Sequence, residues 1–356
     1  MAGIKKIGIR VDMNPDIATG EFMRCATVAD RFIQHGCNVL FISADDGILP
    51  LANKRGFDVK VLGTDWKDAE GETDKLVECL KSEGITHLLI DSYSETERSL
   101  GDLRKAGIRT AYFDDLDAEK YPVDTLINYS SFPDEKYYRK KYAGTGTRLL
   151  LGPGYVPLRP EFTDIDEHEQ WGTENGRGRS HDEPVLFLTS GGSDPLGIVT
   201  KVLGVLFADP AWEKATVHIL AGRFYELPEQ IKNDKRVIVH KGIPNVSEVM
   251  KMCDVAVTTA GTTMYELGAC GVPMVSYIFA DNMRADAEYF NKEDLIPYAG
   301  DFRENPDECA HNVAELLDHL LTEGEDELGA RVVGLTTMFD GHGADRIADA
   351  LLECRE

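Results

Sequence analysis

The chain has 356 residues, 42% of them hydrophobic, and a formal net charge of −24. That length exceeds one ordinary core and suits two domains of roughly 150–180 residues each. The negative field repels phosphodiester backbones and anionic lipid, which excludes nucleic acid and bilayer surfaces as default partners. A small anionic nucleotide stays accessible, because backbone N–H groups at a helix start hold it locally.

Short apolar runs alternate with helix-like stretches from the first residues onward. Lys6–Asp12 reads as a strand, Glu21–His35 as a helix with an apolar face, and Asn38–Ser43 as a strand. Thr73–Ser82 is helical, His87–Asp91 a buried strand, Glu95–Ala106 helical and Arg109–Phe113 a strand; Thr125–Asn128 and Arg148–Leu151 complete the first set. This rhythm predicts a parallel sheet covered on both faces. Thr163–Glu183 is polar and nearly free of aliphatic residues, and reads as an exposed, mobile linker. The pattern restarts with the strand Pro184–Ser190, the helix Asp194–Leu206, and the strands Thr216–Ala221 and Arg236–His240. Asn245–Met252 is a helix, Val255–Thr259 a strand, Thr262–Ala269 a helix, Met274–Ile278 a strand and Asp281–Asn291 a helix. Asn305–Leu321 and His342–Cys354 are long terminal helices.

The expected architecture is α/β, with two Rossmann-like domains facing each other across a deep cleft. Residues 1–160 form the first domain, 161–183 the linker and 184–356 the second, with the option that helix 342–354 packs back on the first. There is no run of eighteen apolar residues, and Met1–Arg10 lacks the apolar stretch of a signal peptide, so a cytoplasmic protein is expected. The seven cysteines include no C-x-x-C and the nine histidines are dispersed, which predicts reduced thiols, no metal and no cofactor.

Three segments of the second half carry chemistry. Ser190-Gly191-Gly192-Ser193-Asp194 follows a strand and opens a helix; it reads equally as a phosphate-binding loop and as a plain strand–helix turn. Thr258-Thr259-Ala260-Gly261-Thr262-Thr263 repeats that arrangement, with N–H and O–H donors for a diphosphate at Gly261, Thr262 and Thr263. Glu266 follows one turn later, placed either to accept bonds from ribose hydroxyls or to complement the helix dipole. Asp281-Asn282, after the strand Met274–Ile278, meets ligand hydroxyls or caps the next helix. In the first half, Gly20 and Glu21 stand at a loop-to-helix junction with Arg24 one turn on. Glu21 is a candidate general base or only a favourable first-turn charge. Asp91 and Tyr93 end one strand and Asp114 and Asp115 another, where carboxylates line the ligand edge of such sheets.

The segments IRVDMNPDIATGEFMRC, LLIDSY, YFDD, INYSSFP, LLGPGYVPLRPEF, LTSGGSDP, TTAGTTMYELGACGVPMVSYIFADN and DGHGADRIADAL span nearly the whole chain. Together they resemble the pseudaminic-acid pathway hydrolases, which release UDP from an aminated 6-deoxy nucleotide-sugar and are grouped with predicted spore-coat polysaccharide glycosyltransferases. Both are relatives of the MurG-type GT-B glycosyltransferases. The resemblance implies a GT-B fold and a nucleotide-sugar substrate such as a UDP-2,4-diacetamido-2,4,6-trideoxy-altropyranose. It further implies diphosphate contacts from Gly261–Thr263, a ribose contact from Glu266, and backbone contacts to uracil around Ile243. Asp281 and Asn282 would reach the sugar, and Arg10, Asp12, Tyr93, Asn128, Tyr155 and Asp115 would line the sugar side. The chain departs from the family pattern Gly-His-x-x-Arg: Glu21 replaces the histidine taken to be the catalytic acid/base, and Met283 stands where relatives often carry Gln. An ordinary carboxylate near pKa 4.3 accepts a proton at neutral pH but hardly donates one. The expectation is a UDP-sugar hydrolase in which Glu21, with Asp115, activates water. The alternatives are a GT-B glycosyltransferase using the same donor, and a nucleotide-sugar-binding variant impaired at position 21.

Overall fold

The computed structural model describes residues 6–17, 19–130, 135–165, 183–222 and 225–353. Residues 166–182, most of the segment read as a linker, lie outside the described residues, as do Ala18 and 354–356. The chain divides into two compact units, one of residues 1–157 and 342–356 and one of residues 158–341.

The first unit runs β1 (Lys6–Val11), α1 (Gly20–Gln34), β2 (Asn38–Ser43), α2 (Leu49–Arg55), β3 (Asp58–Val61), α3 (Ala69–Ser82), β4 (His87–Asp91), α4 (Glu97–Lys105), β5 (Arg109–Phe113), β6 (Thr125–Asn128), α5 (Glu135–Lys141) and β7 (Arg148–Leu151). Its strands pair in parallel in the order β3-β2-β1-β4-β5-β6-β7. The inner strands β2 and β4 are short Val/Ile/Leu-rich runs buried on both faces, as a helix-covered parallel sheet requires. In α1 the residues Phe22, Cys25, Ala26, Ala29 and Phe32 recur at spacings of three and four and are fully buried. On the sheet's other face Ile42, Leu80, Ile90, Leu100 and Leu126 join one apolar cluster, each stabilising the fold by about 1.5–3 kcal/mol. The order reverses between β1 and β4, so the loops at their carboxyl ends part and leave a crevice there.

The second unit contains β8 (Val185–Leu188), α6 (Ile198–Leu206), β9 (Thr216–Leu220), α7 (Glu229–Lys232), β10 (Val237–His240), α8 (Ser247–Met250), β11 (Val255–Thr259), α9 (Thr262–Ala269), β12 (Met274–Ile278), α10 (Arg284–Lys292), β13 (Tyr298–Asp301), α11 (Pro306–Thr322) and α12 (Glu325–Met338). Its parallel order is β10-β9-β8-β11-β12-β13, with the reversal between β8 and β11. The last helix, α13 (Gly343–Leu352), belongs to the first unit. Arg148 Nη1 donates to the Ala350 carbonyl at 3.0 Å. Gly343 lies against the backbone of Val156, where a Cβ would sit 2.1 Å from the carbonyl oxygen.

Several elements differ from the sequence reading. α6 begins at Ile198 rather than Asp194, because the Asp194 carboxylate turns back to accept the Ile198 and Val199 amides at 2.8 and 3.1 Å. Residues 281–283 form a 3₁₀ turn, and the α-helix starts at Arg284. β3, β13 and α12 have no clear sequence signature. β3 is a mostly exposed edge strand, β13 is four residues with a glycine, and α12 has two glycines and an apolar stripe of only Leu328, Val332 and Leu335.

Gly222, two residues beyond β9, fixes the loop that follows β8. A Cβ there would lie 2.3 Å from the Gly191 carbonyl oxygen and 2.4 Å from the Gly192 backbone. Gly222→Ala is expected to lower stability by about 1–3 kcal/mol, read from the urea midpoint; an unchanged midpoint would show that the loop moves freely.

Candidate functional site

In the first unit the predicted residues gather at the carboxyl ends of β1, β4 and β5 and the start of α1. At their centre is Arg24, buried one turn into α1. Its guanidinium grips Asp91 through Nε and Nη2, both at 2.6 Å. The same group reaches Asp115 through Nη2 at 2.8 Å and Nη1 at 3.2 Å, and Nη1 also donates to the Tyr129 hydroxyl. The Phe113 ring lies 4.7 Å and the Tyr129 ring 5.3 Å from the guanidinium carbon. One cation therefore neutralises two carboxylates from neighbouring strand ends, an arrangement suited to a planar bidentate fork. Tyr93 donates a long 3.5 Å bond to Asp115.

Glu21 sits beside this cluster, 8% exposed, and its Oε2 is buried with no hydrogen-bond partner among the described residues. Burial, followed by the charge of Asp91, pushes its carboxyl up to about 7, with Arg24 opposing. This corrects the sequence expectation of an ordinary carboxylate: near neutrality Glu21 populates both protonation states and is able to give a proton as well as take one. Gly20 precedes it at the first position of α1, half-buried.

Arg10 and Asp12 are used differently. Arg10 donates through Nε and Nη2 to Glu72 at 2.5 and 3.0 Å and through Nη1 to Asp12 at 2.5 Å. Asp12 also accepts the Ser43 hydroxyl at 3.1 Å and the Ala44 amide at 2.8 Å. These groups bond to one another and tie β1 to β2 and α3. Asn128 is buried, donating to the Tyr138 hydroxyl at 3.0 Å and accepting the Ser130 amide at 3.1 Å. Tyr155 is half-buried in a 3₁₀ turn after β7.

In the second unit the two glycine-bearing loops flank the reversal between β8 and β11, but they are not equivalent. After β8, Gly191 takes a left-handed φ of 75° and its amide donates to Thr189 Oγ1 at 3.1 Å. The Ile198 and Val199 amides that open α6 are taken by the Asp194 carboxylate. Within the loop the Gly192 and Ser193 amides carry no hydrogen bond among the described residues. After β11, Gly261 is the N-cap of α9 with no side-chain cap, and the Thr262 and Thr263 amides have no partner among the described residues. Bare amides at a helix start form an anion site.

Glu266 follows on α9, buried, with Oε1 held by Arg159 Nε at 3.0 Å. Burial raises its carboxyl and Arg159 opposes. Oε2 carries no hydrogen bond among the described residues and is not sealed from solvent. Arg159, which also pairs with Glu161 at 2.9 Å, was missed by the sequence reading although it lies in the quoted LLGPGYVPLRPEF segment. Its only signal was an arginine amid prolines. Ile243 is half-buried beyond β10, after Gly242 at φ 64°. Asp281 and Asn282 are exposed, and Asp281 accepts from Arg303 Nη2 at 2.7 Å. Among the described residues no three His, Cys, Asp or Glu form a group able to hold a metal, and no helix is long and apolar enough to cross a membrane.

Comparison with known proteins places the fold. No protein-family model matches the chain. It is 22% identical over 284 residues to the uncharacterized protein MJ1062 of Methanocaldococcus jannaschii, a match covering 76% of this chain but 55% of that protein, so the chain spans about half the length of this curated relative. Among solved structures it is similar to MurG of Acinetobacter baumannii, with a TM-score of 0.63 and 13% identity over 98% of this chain and 99% of that one. The spinosyn rhamnosyltransferase SpnG complexed with thymidine diphosphate gives 0.64 at 11% identity, covering 98% of this chain and all of that one. The Anabaena protein Alr3699/HepE in complex with UDP gives 0.59 at 13% identity, over 98% and 99%. The two parallel sheets with their helices are those of the MurG-like GT-B fold.

The raised Glu21 carboxyl sets the sign of a stability test. Between its ordinary 4.5 and about 7 the folded chain binds the extra proton, so stability falls as pH rises through that window. Glu21→Gln is expected to be more stable than wild type at about pH 8, by about 1–3 kcal/mol, and to lose that advantage near pH 4. A gap between the urea midpoints that is equal at both pH values would rule out Glu21 as the titrating group.

Proposed function

We propose that this chain is an enzyme that breaks the bond between a sugar and a nucleoside diphosphate, taking a UDP-sugar as donor and passing the sugar to an acceptor hydroxyl. The observation that carries the reading is the uncapped start of α9, with two bare amides followed one turn later by the half-satisfied carboxylate of Glu266. Amides stabilise a pyrophosphate and its growing charge as it leaves, and a carboxylate oxygen accepts hydroxyls of a ribose. The fold agrees: its structural neighbours include glycosyltransferases, one complexed with thymidine diphosphate, and a protein solved with UDP.

Glu21 supplies the proton chemistry. Its unpaired Oε2 takes the proton of the attacking hydroxyl, the hydroxyl oxygen bonds to the anomeric carbon, and the bond to the diphosphate oxygen breaks with UDP leaving. A carboxyl poised near 7 is matched to this task, which weighs against the reading of a chain impaired at position 21. Asp115, held by Arg24 and Tyr93, is a positioning group in this scheme rather than a second base.

Hydrolysis is the second reading. It is favoured by the motif resemblance across nearly the whole chain to hydrolases acting on aminated 6-deoxy UDP-sugars, and it needs only water in place of the acceptor. Tyr93, Asp281 and Asn282 are each proposed as sugar contacts, and the backbone around Ile243 as the uracil contact.

A panel of UDP-sugars, with and without hydroxyl acceptors, separates the readings. UDP release that requires an acceptor marks transfer, and equal release without one marks hydrolysis. Glu21→Gln is expected to lower kcat at least about 100-fold while UDP still raises the Tm. Thr262→Pro, which removes one bare amide, is expected to abolish the UDP-induced Tm shift. A wild-type chain whose Tm is unmoved by UDP, GDP, CMP and dTDP alike would sink the proposal.

A further inference from the structure

At the opposite end of the first unit's strands from Glu21 there is a cavity of about 150 Å³. Its wall is built from the starts of four neighbouring strands, with His87 from β4, Arg109 from β5, Thr125 from β6 and Arg148 from β7, closed by the last turn of α13. The volume accommodates a phosphate or a small polycarboxylate.

The wall holds donors that the protein does not use. Arg109 is exposed at the start of β5, and no ion pair or side-chain hydrogen bond joins it to any described residue. Thr125 is 7% exposed, and its hydroxyl has no hydrogen bond among the described residues. His87 Nδ1 lies 3.0 Å from the Thr86 hydroxyl, which leaves Nε2 as its second polar atom. Arg148 is fixed at the rim by the Ala350 carbonyl at 3.0 Å and Glu353 at 2.7 Å. Of the two acidic members of the wall, Glu353 pairs with Arg148 and Asp124 accepts the Thr110 amide at 2.9 Å.

We propose that this cavity binds a small oxyanion, a phosphate or a carboxylate, held by the Arg109 guanidinium and the Thr125 hydroxyl with the His87 ring as third donor. The site lies within one unit, and nothing in it rests on the nucleotide reading. Burial first and Arg109 second hold the His87 ring below its usual protonation range, with Asp124 opposing. An anion seated between His87 and Arg109 reverses that repulsion, so binding favours the protonated ring and strengthens as pH falls below the range of ordinary histidine.

Titration of the full chain with inorganic phosphate and, separately, with citrate, in buffer containing UDP, tests the site. Calorimetry is expected to show one saturable site for at least one probe. In NMR the His87 ring signals are expected to titrate at higher pH when that probe is bound. Arg109→Gln and the isosteric Thr125→Val are each expected to weaken binding by roughly tenfold. Phosphate alone binding marks a phosphate site, and citrate alone a carboxylate site. Saturable binding that both variants retain at wild-type strength, an unmoved His87 titration, or no binding of either probe would overturn the proposal.

Discussion

The first unit is organised around one buried cation. Arg24 places its charge among Asp91, Asp115 and Tyr129, and each partner comes from a different strand end. Removing two carboxylates from water costs several kcal/mol apiece unless a cation meets them with good geometry. The fork of Arg24 meets them, so the start of α1 is fixed to the carboxyl edge of the sheet. That anchoring holds Glu21 three residues earlier in a dry place. Its carboxyl is raised because water is excluded and Asp91 stands nearby, while Arg24 is largely committed to its own partners. The raised carboxyl of Glu21 thus follows from the salt-bridge cluster beside it.

The second unit makes its point by contrast. Two strand-to-helix loops flank the same reversal of strand order, and both carry glycine and hydroxyl residues. In one, Asp194 folds back and caps the helix with its own carboxylate. In the other, Gly261 contributes no side chain and the first amides stay bare. An anion binds where donors are unsatisfied, so only the loop after β11 keeps the full helix-start character. Arg159 then holds one oxygen of Glu266 and leaves the other open.

A GT-B fold hosts donor chemistry without fixing the acceptor. Water and a hydroxyl are activated by the same base, and the leaving diphosphate makes the same demand on the amides in either case. The fold alone therefore does not choose between transfer and hydrolysis.

Much of this was legible in the residues themselves. The alternation of apolar runs with 3.6-period stretches determined the parallel α/β units, because period and burial are properties of local sequence. The small-residue loop before Thr262 and the Gly20-Glu21 junction announced themselves by the same local chemistry. Edge elements such as β3 and β13 did not, since a short exposed strand is defined by its neighbour rather than by its own composition. Three matters belonged to the tertiary structure alone: that Arg10 and Asp12 are consumed by Glu72 and Ser43, that Asp194 closes one helix start, and that Glu21 titrates near neutrality. Each depends on which distant group comes within a hydrogen bond and on how much water is left beside it, and neither quantity is written along the chain.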